Sequence, residues 1–136
     1  MRWFRRRKRD QPWEVVGCEI VEPVLMFDES DIDIVRIAAY DTCRKYIFDF
    51  KRHVPDGDQS VNALLFSQQQ LLQEVAKKHY NVLLLEGWTL TRLRRGKHNR
   101  LEVDYIGRAG YVSGKPPASR RPPFIAVLRE GQRMPL

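Results

Sequence analysis

Residues 82–114 read VLLLEGWTLTRLRRGKHNRLEVDYIGRAGYVSG, and their pattern decides the fold class. Val82, Leu83, Leu84 and Leu85 make a short apolar run, and residues 89–93 continue in residues that favour extended backbone. Gly96, Lys97, His98 and Asn99 then suit a hairpin loop. On the return, Leu101, Val103 and Tyr105 alternate with Glu102 and Asp104, the period-2 signature of a strand with one apolar face. Gly87 allows a bend or bulge, and residues 107–110 are expected to form a second turn into Tyr111 and Val112. The stretch is therefore an antiparallel meander.

Its missing cover lies just upstream. Leu64, Leu65, Leu71, Leu72, Val75 and Ala76 line one side of a helix expected over residues 61–80, with Gln69, Gln70, Gln73, Lys77 and Lys78 largely on the other. The turn VPDGDQS precedes it, with Asp58 or Ser60 as N-cap and Asn81 as C-cap. Residues 13–27 predict a strand interrupted near Gly17 or Pro23. Residues 28–52 have two readings. Ile32, Val35, Ala39, Cys43, Tyr46 and Phe50 recur at helical steps, whereas KYIFDF favours a strand and hence a hairpin turning near Asp41 and Thr42. The fold class is α+β: an antiparallel β-meander packed against one long amphipathic helix, with basic flexible N- and C-terminal segments. A basic arm at 1–12, a single domain at 13–114 and a Pro/Arg-rich extension at 115–136 follow from composition. The proline-rich KPPASRRPP at 115–123 must run extended, and the apolar residues 124–128 are able to dock back on the body.

A chain of 136 residues, 43% hydrophobic, supplies one core without a disulfide or metal staple. Cys18 and Cys43 lie in apolar stretches outside any ligand motif and read as buried thiols of a reducing compartment, cytoplasm, nucleus or mitochondrial matrix. No apolar run approaches the roughly 20 residues of a membrane span.

Charge is massed, not scattered. Residues 1–9 carry six Lys/Arg and no acid, residues 10–91 carry seven Lys/Arg against fourteen acids, and residues 92–136 carry eleven against three. Like charges concentrated in segments repel unless a polyanion or acidic partner offsets them. Arginine dominates, which suits bidentate grip on phosphate. The candidate nucleic-acid contacts are Arg5, Arg6, Arg7, Lys8 and Arg9 of the arm, Arg92, Arg94, Arg95, Lys97 and Arg100 of the hairpin, and Arg120 and Arg121 of the extension. Trp3 and Phe4 are placed for stacking on bases or for insertion at a membrane surface.

Catalytic chemistry finds little support. His53, His79 and His98 share no metal-ligand spacing, and the chain carries no phosphate-cradling or nucleophile motif, so no metal or cofactor is implied. Glu102 and Asp104 with Glu86 could be drawn as an acidic cluster, but cross-strand ion pairs give the same residues. The expected function is non-enzymatic binding of RNA or another polyanion within a ribonucleoprotein assembly, the acidic body meeting protein neighbours. A peripheral protein on an anionic membrane and a protein–protein adaptor are the alternatives.

Overall fold

Alternating apolar residues and one helical stripe produce five strands and a long helix, seen in a computed structural model that describes residues 11–129. They are β1 (Glu14–Leu25), β2 (Ile34–Ile37), β3 (Thr42–Phe50), α1 (Gly57–Ala76), β4 (Val82–Arg95) and β5 (His98–Val112). All pairings are antiparallel. β1 lies against β4, β4 against β5, and both β2 and β3 against the far edge of β5.

Residues 28–52 form neither the long helix nor the hairpin, although KYIFDF is the strand its propensity favours, within β3, and Glu29–Asp31 make one 3-10 turn. β2 pairs with residues 110–112 and β3 with residues 99–107, so the two run in the same direction as successive pieces of one edge. The break between them, which suggested a turn near Asp41 and Thr42, only lifts the chain off β5. Even there Ala38 N donates to Ala109 O. The helical spacing of Ile32, Val35 and Ala39 is overridden because β5 offers an open row of hydrogen-bonding groups.

The same competition removes the expected turn at residues 107–110, which stay within β5. Gly110 is there for space: a Cβ on it would lie 2.5 Å from Leu84 Cδ1. Gly87 also sits in continuous strand and not in a bulge. It faces the irregularity of β1 between Val21 and Val24, where a Cβ would lie 2.7 Å from the backbone nitrogen of Pro23. The irregularities near Gly17 and Pro23 match the interruptions expected of this strand.

α1 begins earlier than its apolar stripe. Asp56, not Asp58 or Ser60, is the N-cap, accepting from Gln59 N at 2.8 Å while Gln59 Oε1 accepts from Asp56 N at 2.9 Å. This capping box hides a polar first turn from a reading of hydrophobic period. The helix closes at Lys77, and Asn81 instead docks on β5, its side chain bonding both N and O of Val112.

Directly opposed residues of an antiparallel pair share a face. One face gathers Trp88 and Leu90 of β4 with Leu101, Val103 and Tyr105 of β5, all buried with Val61, Leu64, Leu71 and Val75 of α1. Leu72 is half-buried against this core and Ala76 is exposed. Ile125 and Leu128 complete the core, so residues 124–128 do dock back, and Trp88 Nε1 donates to Pro123 O at 2.8 Å. The other face has a small apolar cluster of Val82, Leu84 and Val112 at one end. Toward the hairpin it is open.

Cys18 and Cys43 fall on that open face, opposite Thr91 and Ile106, and are exposed instead of buried. Their apolar neighbours Ile20 and Ile47 share this open face and are exposed with them. Three strand spacings separate β1 from β3, about 14 Å, too far for the two sulfurs to bond within one chain. Partial burial, and then the charge of Asp104, push the Cys43 thiol up from its ordinary range.

Candidate nucleic-acid interface

The β4–β5 hairpin turns through Gly96 and Lys97, with Arg95 opposite His98. Gly96 has φ +62° and Lys97 does not take a positive φ, the pattern of a type II′ turn with glycine first. A two-residue turn brings the cations on both arms of the hairpin to one end of the sheet.

The sheet order adds residues that sequence reading did not include. Phe50, the last residue of β3, pairs with Asn99, so Lys51, Arg52 and His53 leave the sheet beside the hairpin. Asn99 Nδ2 donates to His53 O at 3.0 Å and pins that turn. From the other edge, Glu14 of β1 pairs with Arg94, which puts Trp13 next to Arg95. The Arg95 and Arg100 guanidinium carbons lie 4.5 and 4.2 Å from the Trp13 ring centroid. Stacking on an indole holds a guanidinium in place without using its donors. The signal for Lys51 and Arg52 was the basic triplet directly after KYIFDF, but its relevance depends on which strand β3 joins.

The predicted hairpin cations divide into two kinds. Arg92 is ion-paired with Glu19, and Arg100 Nε lies 2.7 Å from Asp49 Oδ1. Arg94 and Lys97 are exposed, and with Arg95, Lys51 and Arg52 they make no ion pair among the described residues. Those five are available to an outside anion. Arg120 and Arg121 are not brought to this end. Arg120 stacks on Phe27, its guanidinium carbon 5.2 Å from the ring centroid, and its carbonyl accepts from Gln68. Gln68 also bonds Glu86, nine positions back along β4 from Arg95, or about 30 Å at strand rise. Arg5, Arg6, Arg7, Lys8, Arg9, Trp3 and Phe4 lie outside the described residues.

The acidic cluster drawn from Glu86, Glu102 and Asp104 does not form, because the strands put Glu86 on the covered face and the others on the open one. Glu102 and Asp104 pair with Lys45 at 3.1 and 3.6 Å, the cross-strand arrangement. Glu86 is buried, and its Oε1 accepts from Tyr105 Oη at 2.5 Å and from Gln68 Nε2 at 2.7 Å. Burial pushes its carboxyl above the ordinary range, against a smaller downward pull from those two hydrogen bonds. Among the described residues no group of three or more His, Cys, Asp or Glu is placed to hold a metal ion, and no helix is long and apolar enough to cross a membrane. Compared with family models, curated proteins and solved structures, the chain matches none.

Proposed function

We propose that this chain is a non-enzymatic protein that binds RNA, or a polyanion of similar charge density, through the hairpin end of its sheet, as a subunit or accessory factor of a ribonucleoprotein assembly. The observation that supports the reading is convergence: Arg94, Arg95 and Lys97 of the hairpin meet Lys51 and Arg52 from behind β3, none of them ion-paired among the described residues. Five cations held together on short turns cost free energy unless counter-charge offsets them. In the sequence the basic run ending at Arg9 is separated from Trp13 by three residues. On this reading the chain works in a reducing compartment, where exposed, unpaired thiols persist.

Each phosphate neutralised on a single strand contributes roughly 0.7 to the logarithmic salt slope of binding. Replacing Arg94, Arg95 and Lys97 together with glutamine is expected to lower that slope for single-stranded RNA by about 2. Replacing Arg92 and Arg100, whose charges are already paired, lowers it less. Unchanged affinity and slope in the triple variant would remove the interface from consideration.

A further inference from the structure

The open face at the hairpin end carries a cavity of about 200 Å³, lined among others by Trp13, Asp49, Lys51, Arg95, His98 and Arg100. We infer that this cavity is a binding site for a terminal phosphate, a dianionic phosphomonoester at the end of a nucleic-acid strand. The inference rests on the polyanion reading above and names the part of the polymer that the site takes.

Placement is the first argument. Arg95 and His98 are directly opposed, and Lys51 follows Phe50, the partner of Asn99, so three donors stand level across β4, β5 and the end of β3. Neighbouring strands lie about 4.8 Å apart, so Arg95 and Lys51 flank His98 at about 10 Å from each other. Long side chains from both sides converge on an oxygen-rich group seated over the imidazole.

The charge is the second. Arg100 is occupied by Asp49, its Nε at 2.7 Å and its Nη2 at 3.4 Å from the two carboxylate oxygens. That pair contributes no net charge and serves as a wall. Arg95 and Lys51 remain, two cations without an ion pair among the described residues, matching the two charges of a phosphomonoester better than the single charge of an internal diester. Arg95 is also held by Trp13, which lowers the cost of fixing it on a ligand.

Size is the third. Pockets for whole drug-sized ligands start at about 300 Å³, so this one takes a group and leaves the rest of the molecule outside. Lys97, exposed in the turn that follows Arg95 and Gly96, supplies a cation for the following phosphodiester.

The test compares one oligonucleotide bearing a 5′-phosphate, a 3′-phosphate or hydroxyl at both ends, bound to the full chain at fixed salt. A phosphorylated end is expected to bind about tenfold tighter than the hydroxyl form, as charge-assisted contacts to a dianion require. Lys51→Gln with His98→Gln should abolish that preference, lowering affinity for the phosphorylated forms far more than for the hydroxyl form, which loses only the general contribution of one cation. Inorganic phosphate should perturb the fluorescence of the parent and not of Trp13→Phe, a substitution just outside β1. Equal affinity for all three oligonucleotides overturns the terminal-phosphate site and leaves RNA binding standing. Binding of inorganic phosphate with no oligonucleotide bound does the reverse. Preference for phosphatidic acid vesicles over every oligonucleotide overturns the nucleic-acid assignment and gives the pocket to a lipid headgroup.

Discussion

Successive residues of β5 live in two different environments. Leu101, Val103, Tyr105 and Ala109 are buried beneath α1 and the docked residues 124–128, whereas Arg100, Glu102, Asp104 and Arg108 lie on the face that α1 does not cover. The uncovered side is organised by ion pairs across strands: Arg100 with Asp49, Lys45 with Glu102 and Asp104, Arg108 with Asp41. One strand thus serves as core and as charged surface at once. The comparison teaches where a site has room to evolve. Among the described residues the one buried charge is Glu86, on the covered face and hydrogen-bonded to Tyr105 and Gln68, while the open face tolerates an excess of cations at the hairpin end.

The largest effect expected from this division comes from the covered side. Leu71 is fully buried between α1 and the sheet, so Leu71→Ala should cost about 2–5 kcal/mol in denaturant unfolding, the transfer of the lost methyls plus the cavity left behind. Leu72→Ala, half-buried on the same helix, should cost less. Equal losses would mean that α1 is rotated from the packing described. A smaller effect is expected of Gly87→Ala, about 1–3 kcal/mol, because the new methyl meets the backbone of Pro23 and Val21 and forces β1 to shift. An unfolding midpoint matching the parent's would show that β1 does not press on β4 there.

Much of this architecture was legible in the chain. The covered face of β5 follows from strict alternation, the helix from its leucine stripe, and the hairpin from Gly96, although the expected loop of Gly96 to Asn99 is shortened to two residues because His98 and Asn99 pair with Arg95 and Arg94. What failed was decided by partners distant in sequence. Residues 28–52 carry helical spacing and strand propensity together, and only the free edge of β5 selects the strand. Gly110 and Gly87 look like turn residues until Leu84 and Pro23 occupy the space a side chain would need. In the candidate site, the arginines of the hairpin were visible, but their division into paired and unpaired cations depends on Glu19 and Asp49, which lie on two other strands. Lys51 entered for the same reason: no local pattern says that β3 ends beside the hairpin.

Burial also makes one stability term depend on pH. The Glu86 carboxyl is pushed above its ordinary 4.5 mainly by desolvation. A carboxyl whose folded pKa exceeds its unfolded one stabilises the fold fully below the unfolded value, and that contribution is lost as pH rises through the folded value. Glu86→Gln keeps an acceptor for Tyr105 and Gln68 but cannot ionise. Its stability relative to the parent should therefore increase as pH climbs from 4.5. A difference independent of pH would show that Glu86 is as well solvated as an acid on the open face, and the contrast between the faces would weaken.

The smallest effect should come from the open face itself. Lys45 Nζ lies 3.1 Å from Glu102 and 3.6 Å from Asp104, yet half of the lysine side chain is exposed. Exposed pairs gain little, because water already screens both charges and a long side chain must be ordered, so Lys45→Gln should cost only about 0.2–1 kcal/mol. Its loss leaves Glu102 and Asp104 two positions apart on one face, with Arg100 Nη1 at 4.0 Å from Glu102 to offset part of their repulsion. That repulsion is screened by salt, so the cost should shrink when the unfolding is repeated at high ionic strength. A loss as large as that of Leu71→Ala, and insensitive to salt, would mean that Lys45 is removed from water in solution and that something covers this face of the sheet.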